Sequence, residues 1–127
     1  MNSQPQRKPI VVVEDDVEIA GLIRAILHTR TDFEPVLVHD GSSAIEIIRS
    51  VEPHVVLLDV ELPGMSGLEI YDNLKADSST REIPVIFVTG SISGGEFEKR
   101  KIKKYIRKPF EVDELVTEVE TLSARAE

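Results

Sequence analysis

Short β-branched runs alternate along this chain with segments of helical period, and that alternation leaves few folds open. The runs are PIVVVED (9–15), FEPVLVH (33–39), HVVLLD (54–59), PVIFVT (84–89) and YIRK (105–108). VVV and VVLL are apolar at successive positions, as expected of strands covered on both faces by helices. Between the first two runs, Ile19, Leu22, Ile23, Ile26 and Leu27 fall at i, i+3, i+4, i+7 and i+8, one stripe of a helix. Val112, Leu115, Val116, Val119 and Leu122 repeat the pattern near the end. Ala44, Ile45 and Ile48 suggest a second helix, and Leu68, Tyr71 and Leu74 a third. Residues 91–102 lack a clear period.

Five such alternations in 127 residues predict an α/β fold with right-handed crossovers. The common solution at this size is a flavodoxin-like five-stranded parallel sheet, order 2-1-3-4-5, with helices on both faces. Residues 9–124 are expected to form the domain, flanked by a polar N-terminal tail (1–8) and a C-terminal tail (125–127). A chain starting at Met1 and ending in SARAE reads as a stand-alone regulator rather than a segment of a longer one.

Composition narrows the function classes. With no Cys there is no disulfide framework, thiolate metal site or thiol nucleophile. MNSQPQRKP lacks the apolar core of a signal peptide, and no stretch reaches the roughly 20 apolar residues of a membrane span. A cytoplasmic protein without membrane contact is expected. The net charge of −8, from 15 basic and 23 acidic residues, disfavours direct nucleic-acid binding. The exception is KRKIKKYIRKPF (99–110), a basic stretch in an acidic chain.

Open parallel sheets bind ligands beyond the carboxyl ends of their strands. Those ends carry Glu14 and Asp15 after the first strand, Asp59 after the third, Thr89 after the fourth and Lys108 after the fifth. Each alone has an ordinary explanation, since Asp15 or Asp16 could simply cap the next helix. Together they form a charge pattern. Three crowded carboxylates repel unless cations compensate, and Mg²⁺ suits one or two carboxylates, waters and a phosphate. Mg²⁺ and Lys108 bring the sum close to zero. His28, His39 and His54 lack metal-ligand spacing and read as ordinary surface or strand-end residues.

With these residues in view, the chain resembles the receiver domain of bacterial two-component response regulators, of the chemotaxis-regulator type. The matching stretches are VVVEDD, VVLLDVELPGMSG, the VTG after the fourth strand, and YIRKPF, and the likeness covers residues 8 to 124. The resemblance implies that Asp59 is the phosphoacceptor and that Mg²⁺ is held by Asp15, Asp59 and the backbone carbonyl of Glu61. Glu14 then acts on the ion mainly through water, and Asp16 is a helix N-cap. Thr89 and Lys108 would bind the phosphoryl group, and Thr89 and Tyr105 would form the switch. The Lys108-Pro109 bond is expected to be cis, a form that is cheap only before proline. Glu61 and Ser91 occupy flanking positions that tune phosphoryl lifetime.

The partners so implied are a sensor histidine kinase or a phosphotransfer protein, which donates from phosphohistidine, and a downstream protein reached through residues 91–122. The domain would catalyse its own phosphorylation and dephosphorylation while acting mainly as a switch. One departure stands out: the stretch from Thr89 to Lys108 is about one helical turn short, so a short or atypical fourth helix is expected. Its outer lysines read either as a solvated helix end or as a docking surface for an acidic protein. A flavodoxin is disfavoured because EDD would repel its cofactor's phosphate, and a dehalogenase-type phosphatase because Glu61 stands where its second Asp belongs. The remaining alternative is a phosphorylation-independent protein-binding module on the same fold.

Overall fold

Strand parity organises the molecule. In the computed structural model, residues 7–91 and 94–126 are described; Met1–Gln6 and Glu127, assigned above to the tails, lie outside them, as do Ile92 and Ser93. Five strands, β1 (Lys8–Val13), β2 (Phe33–Val38), β3 (Val55–Leu58), β4 (Val85–Thr89) and β5 (Tyr105–Arg107), form one parallel sheet of order β2-β1-β3-β4-β5. Successive side chains point to opposite faces. Ile10 and Val12, Val55 and Leu57, and Ile86 and Val88 therefore join one core, while Val11 and Val13, Val56 and Leu58, and Phe87 join the other.

Helices α1 (Val17–Arg30) and α5 (Val112–Ala126) cover the first core, with Ile23, Ile26 and Leu27 packed against Leu115, Val116 and Val119. Helices α2 (Ala44–Val51), α3 (Gly67–Ala76) and α4 (Glu96–Lys99) cover the second through Ala44, Ile48, Ile70, Leu74 and Phe97. Fully burying one such aliphatic side chain contributes roughly 1.5–3 kcal/mol before entropy is counted. Two stripe positions behave differently from expectation. Leu22 is 53% exposed and Val112 38%, because each lies at the edge of a stripe wider than its contact with the sheet.

Register brings the strand ends level. Val13 pairs with Val38 on one side and with Leu58 on the other, and Thr89 pairs with Arg107. Glu14, Asp59 and Lys108 thus each fall one residue beyond a strand, along a single edge. The expected short fourth helix is a single turn of four residues.

Candidate functional site

Asp59 leaves β3 at the sheet edge with its amide bonded to the Val13 carbonyl, 3.1 Å away. Asp59 is buried, 7% exposed, because apolar strands flank it on both sides. A buried carboxylate needs a compensating charge. Lys108 supplies it, with Nζ 2.7 Å from Asp59 Oδ2 and a second bond to Glu14 Oε1. Glu14 is buried as well, and its other oxygen accepts the Asp16 amide at 3.0 Å.

Asp16 is the N-cap of α1. Its Oδ1 accepts the amides of Glu18 and Ile19 at 3.0 and 3.1 Å, satisfying two of the donors a helix start leaves free. That leaves Asp15 exposed at the rim. Ligand oxygens of Glu14, Asp15 and Asp59 lie within 4.8 Å of one another, a donor set and spacing that fit a hard divalent cation. Burial pushes the Glu14 carboxyl above its usual range despite the bond from Lys108. For Lys108 burial acts downward, but the bonds to Asp59 and Glu14 outweigh it and keep the ammonium charged.

The other sequence candidates sit around this centre. The Glu61 amide is 3.3 Å from Asp59 Oδ1, and the Glu61 side chain is exposed. Thr89 is fully buried; its hydroxyl donates to the Ser91 carbonyl (3.3 Å) and accepts the Ser91 amide (3.1 Å). The Thr89 carbonyl in turn accepts the Lys108 amide at 3.1 Å. Tyr105 is half-buried and packs on Phe97, with ring centroids 5.1 Å apart. The Lys108-Pro109 peptide is cis, as expected.

Two supporting residues escaped the sequence reading. His39, taken as an ordinary strand-end residue, donates from Nδ1 to the Glu14 carbonyl at 3.0 Å and so ties β2 to the acidic loop. Gly41 is required by close approach: a Cβ there would stand 1.8 Å from the Met65 carbonyl oxygen. A similar close approach occurs at Gly67, the first residue of α3, where a Cβ would stand 1.9 Å from the carbonyl oxygen of Asp59. A glycine in DGSS signals a turn, but nothing local reveals the backbone that will pass over it.

Comparison with known proteins agrees with this geometry. The family model of the response regulator receiver domain matches residues 10–120. The phosphate regulon transcriptional regulatory protein PhoB of Escherichia coli is 36% identical over 122 residues, which cover 91% of this chain and 52% of PhoB. The DNA-binding response regulator MtrA of Mycolicibacterium smegmatis is 32% identical over 124 residues, 95% of this chain and 53% of MtrA. The chain thus spans about half the length of these curated relatives. Among solved structures, the receiver domain of Francisella response regulator 1452 superposes with a TM-score of 0.83 at 25% identity, covering 95% of this chain and all of that one. The receiver domain of the Pseudomonas aeruginosa sensor histidine kinase PA1611, solved with a magnesium ion in its active-site cleft, gives 0.82 at 24% identity over 93% of this chain and 98% of its own. A sheet of order 2-1-3-4-5 with acidic, Asp and Lys positions converging on one edge, and a family match over that whole span, lead to one assignment: the chain belongs to the response regulator receiver domain family.

Proposed function

We propose that this chain is a phosphorylation switch in which Asp59 accepts a phosphoryl group from the phosphohistidine of a sensor histidine kinase or phosphotransfer protein. One observation carries the reading. A buried carboxylate at a strand end shares a lysine with a second buried acid, and the Asp15 carboxylate stands in the same cluster. A fold alone has no use for so unfavourable a cluster.

In the transfer, an Asp59 carboxylate oxygen attacks phosphorus, the phosphorus–nitrogen bond breaks, and its electron pair stays on the donor imidazole. Asp15, Asp59 and the Glu61 backbone carbonyl would hold Mg²⁺, with Glu14 acting through water. Bound there, the ion supplies charge neutralisation for the phosphoryl oxygens. Lys108 would follow Asp59 into the product, giving its ammonium to a phosphoryl oxygen. The aspartyl phosphate carries close to one more negative charge than the carboxylate it replaces. Thr89, whose hydroxyl bonds the Ser91 backbone, would be the donor that turns toward it. Tyr105 would then swing inward from its half-buried position. Glu61 and Ser91, at the rim, would set how fast water removes the group.

Exposed Val17 and Leu22 lie on α1, and Leu22 lines a groove with Pro109, Phe110 and Lys108 beside the acidic edge. This apolar rim suits a protein donor. The downstream partner is assigned to residues 91–122, whose Lys99, Lys101, Lys103, Lys104 and Arg107 are exposed and suit an acidic protein surface. MtrA is a DNA-binding regulator, yet the half of it matched here is the receiver, so we assign this chain's own surface a protein partner. The phosphorylation-independent binding module gains no support from so complete a cluster. Incubation with Mg²⁺ and acetyl phosphate should add one phosphoryl group to the chain, and Asp59→Asn should prevent it. A folded wild-type chain that takes no label would defeat this reading.

A further inference from the structure

Four aromatic rings form a file across one face of the sheet: Tyr71 of α3, Phe87 of β4, Phe97 of α4 and Tyr105 of β5. Successive centroids are 5.6, 5.0 and 5.1 Å apart, all tilted. Phe97 is the bridging member. It is 5% exposed and contacts both Phe87 in the core and Tyr105 at the half-buried end.

A four-residue helix cannot hold a ring in place by itself, because helix formation becomes favourable only after several turns. Here the turn is clasped from outside. Arg100 Nε and Nη2 bind Asp72 Oδ1 and Oδ2 of α3, each at 2.8 Å, while Nη1 binds Glu96 Oε1 at 2.8 Å and the Glu96 carbonyl at 3.0 Å. The turn closes with the Ile102 amide on the Phe97 carbonyl (2.9 Å) and the Lys101 amide on the Glu98 carbonyl (3.0 Å). That closure places Lys101 at φ 59, where glycine is the usual residue.

We propose that Phe97 is a positioning residue for the Tyr105 ring and that the Asp72–Arg100 clasp, by fixing the α4 turn, holds this receiver in its unphosphorylated arrangement. The inference rests on Tyr105 being the switch ring, as assigned above. A Tyr105 ring moving toward β4 enters space that Phe97 fills. Phe97 therefore withdraws, the turn moves with it, and the bidentate pair to α3 opens. The clasp is a penalty that phosphorylation overcomes, and removing it shifts the population toward the switched form before any label is added. The chain's only tyrosines are Tyr71 and Tyr105, which makes the ring observable.

The test uses the full chain with 3-fluorotyrosine at both positions, Mg²⁺, and beryllofluoride as the phosphoryl mimic, read by fluorine NMR. Asp72→Ala removes the half-exposed partner of the clasp and Arg100→Ala the guanidinium itself, whose side chain is 19% exposed, and urea unfolding of each variant establishes a folded chain before mimic is added. Each should tighten apparent beryllofluoride affinity about three- to tenfold and move the Tyr105 resonance toward its mimic-bound position in the absence of mimic. The double variant should gain no more than either single one. Lys101→Gly, which relaxes the turn in its clasped form, should weaken the affinity. Wild type that binds the mimic, with both alanine variants unchanged in affinity and resonance, overturns the clasp alone. Wild type that does not bind the mimic at Asp59 overturns the proposed function and the clasp with it.

Discussion

Lys108 Nζ lies 2.7 Å from Asp59 Oδ2 while also bonding Glu14, so one ammonium serves two buried carboxylates contributed by different strands. Removing it leaves both acids without their cation. Lys108→Met should therefore cost about 3 kcal/mol of unfolding free energy at neutral pH. Glu14 already titrates above its ordinary 4.5 because it is buried, and a carboxyl raised in the folded state stabilises at low pH and loses that contribution as pH rises. The deficit of the variant should thus grow as pH rises through the carboxylate range and fade on acidification, as followed by urea unfolding across pH.

Divalent cation should stabilise the wild-type fold, because carboxylate oxygens of Glu14, Asp15 and Asp59 lie within 4.8 Å of one another and repel unless a cation compensates. At about ten times its dissociation constant, Mg²⁺ should add about 1.4 kcal/mol. Asp15→Asn, at the exposed rim, should abolish most of that gain while leaving stability in EDTA unchanged. Equal Mg²⁺ responses in both proteins would remove Asp15 from the site.

Gly67 and Gly41 should tolerate no side chain. Gly67→Ala drives a methyl against the Asp59 carbonyl and Gly41→Ala one against the Met65 carbonyl, so backbone must move in each. We expect losses of about 2 kcal/mol or more in thermal or urea unfolding. Gly21→Ala, which meets nothing within 4 Å inside α1, should be neutral or stabilising.

Asp77 gives a second pH signature away from the site. Bonds from the Ser79 amide and hydroxyl, then from Arg49, hold its carboxyl down to about 2. A carboxyl lowered in the folded state contributes in full above its ordinary 3.8 and loses the contribution as pH falls toward about 2. Wild type should accordingly exceed Asp77→Ala in unfolding midpoint at neutral pH, and the gap should close over that acid interval. A gap independent of pH would assign the effect to packing.

The strands and most helices were legible because apolar runs covered on both faces leave a continuous signal, and residue order alone puts Glu14, Asp59 and Lys108 past their ends. Asp16 was readable as a cap because capping is local. Three features were not. Leu22 and Val112 fit a helical stripe, but periodicity gives a direction and says nothing of how much of that face the sheet covers. Gly41 and His39 matter through backbone brought in from elsewhere, the Met65 and Glu14 carbonyls. The Arg100 clasp joins residues 28 positions apart on elements whose packing the sequence leaves unspecified.

The proposed switch turns on Asp59 taking a phosphoryl group. Intact-mass spectrometry of the wild-type chain after acetyl phosphate and Mg²⁺ treatment, with peptide mapping after borohydride trapping, tests that most directly. The account predicts a single Mg²⁺-dependent phosphoryl adduct mapped to Asp59 and none in Asp59→Asn. A folded wild-type chain that stays unlabelled, or a label mapping to another residue, would contradict it.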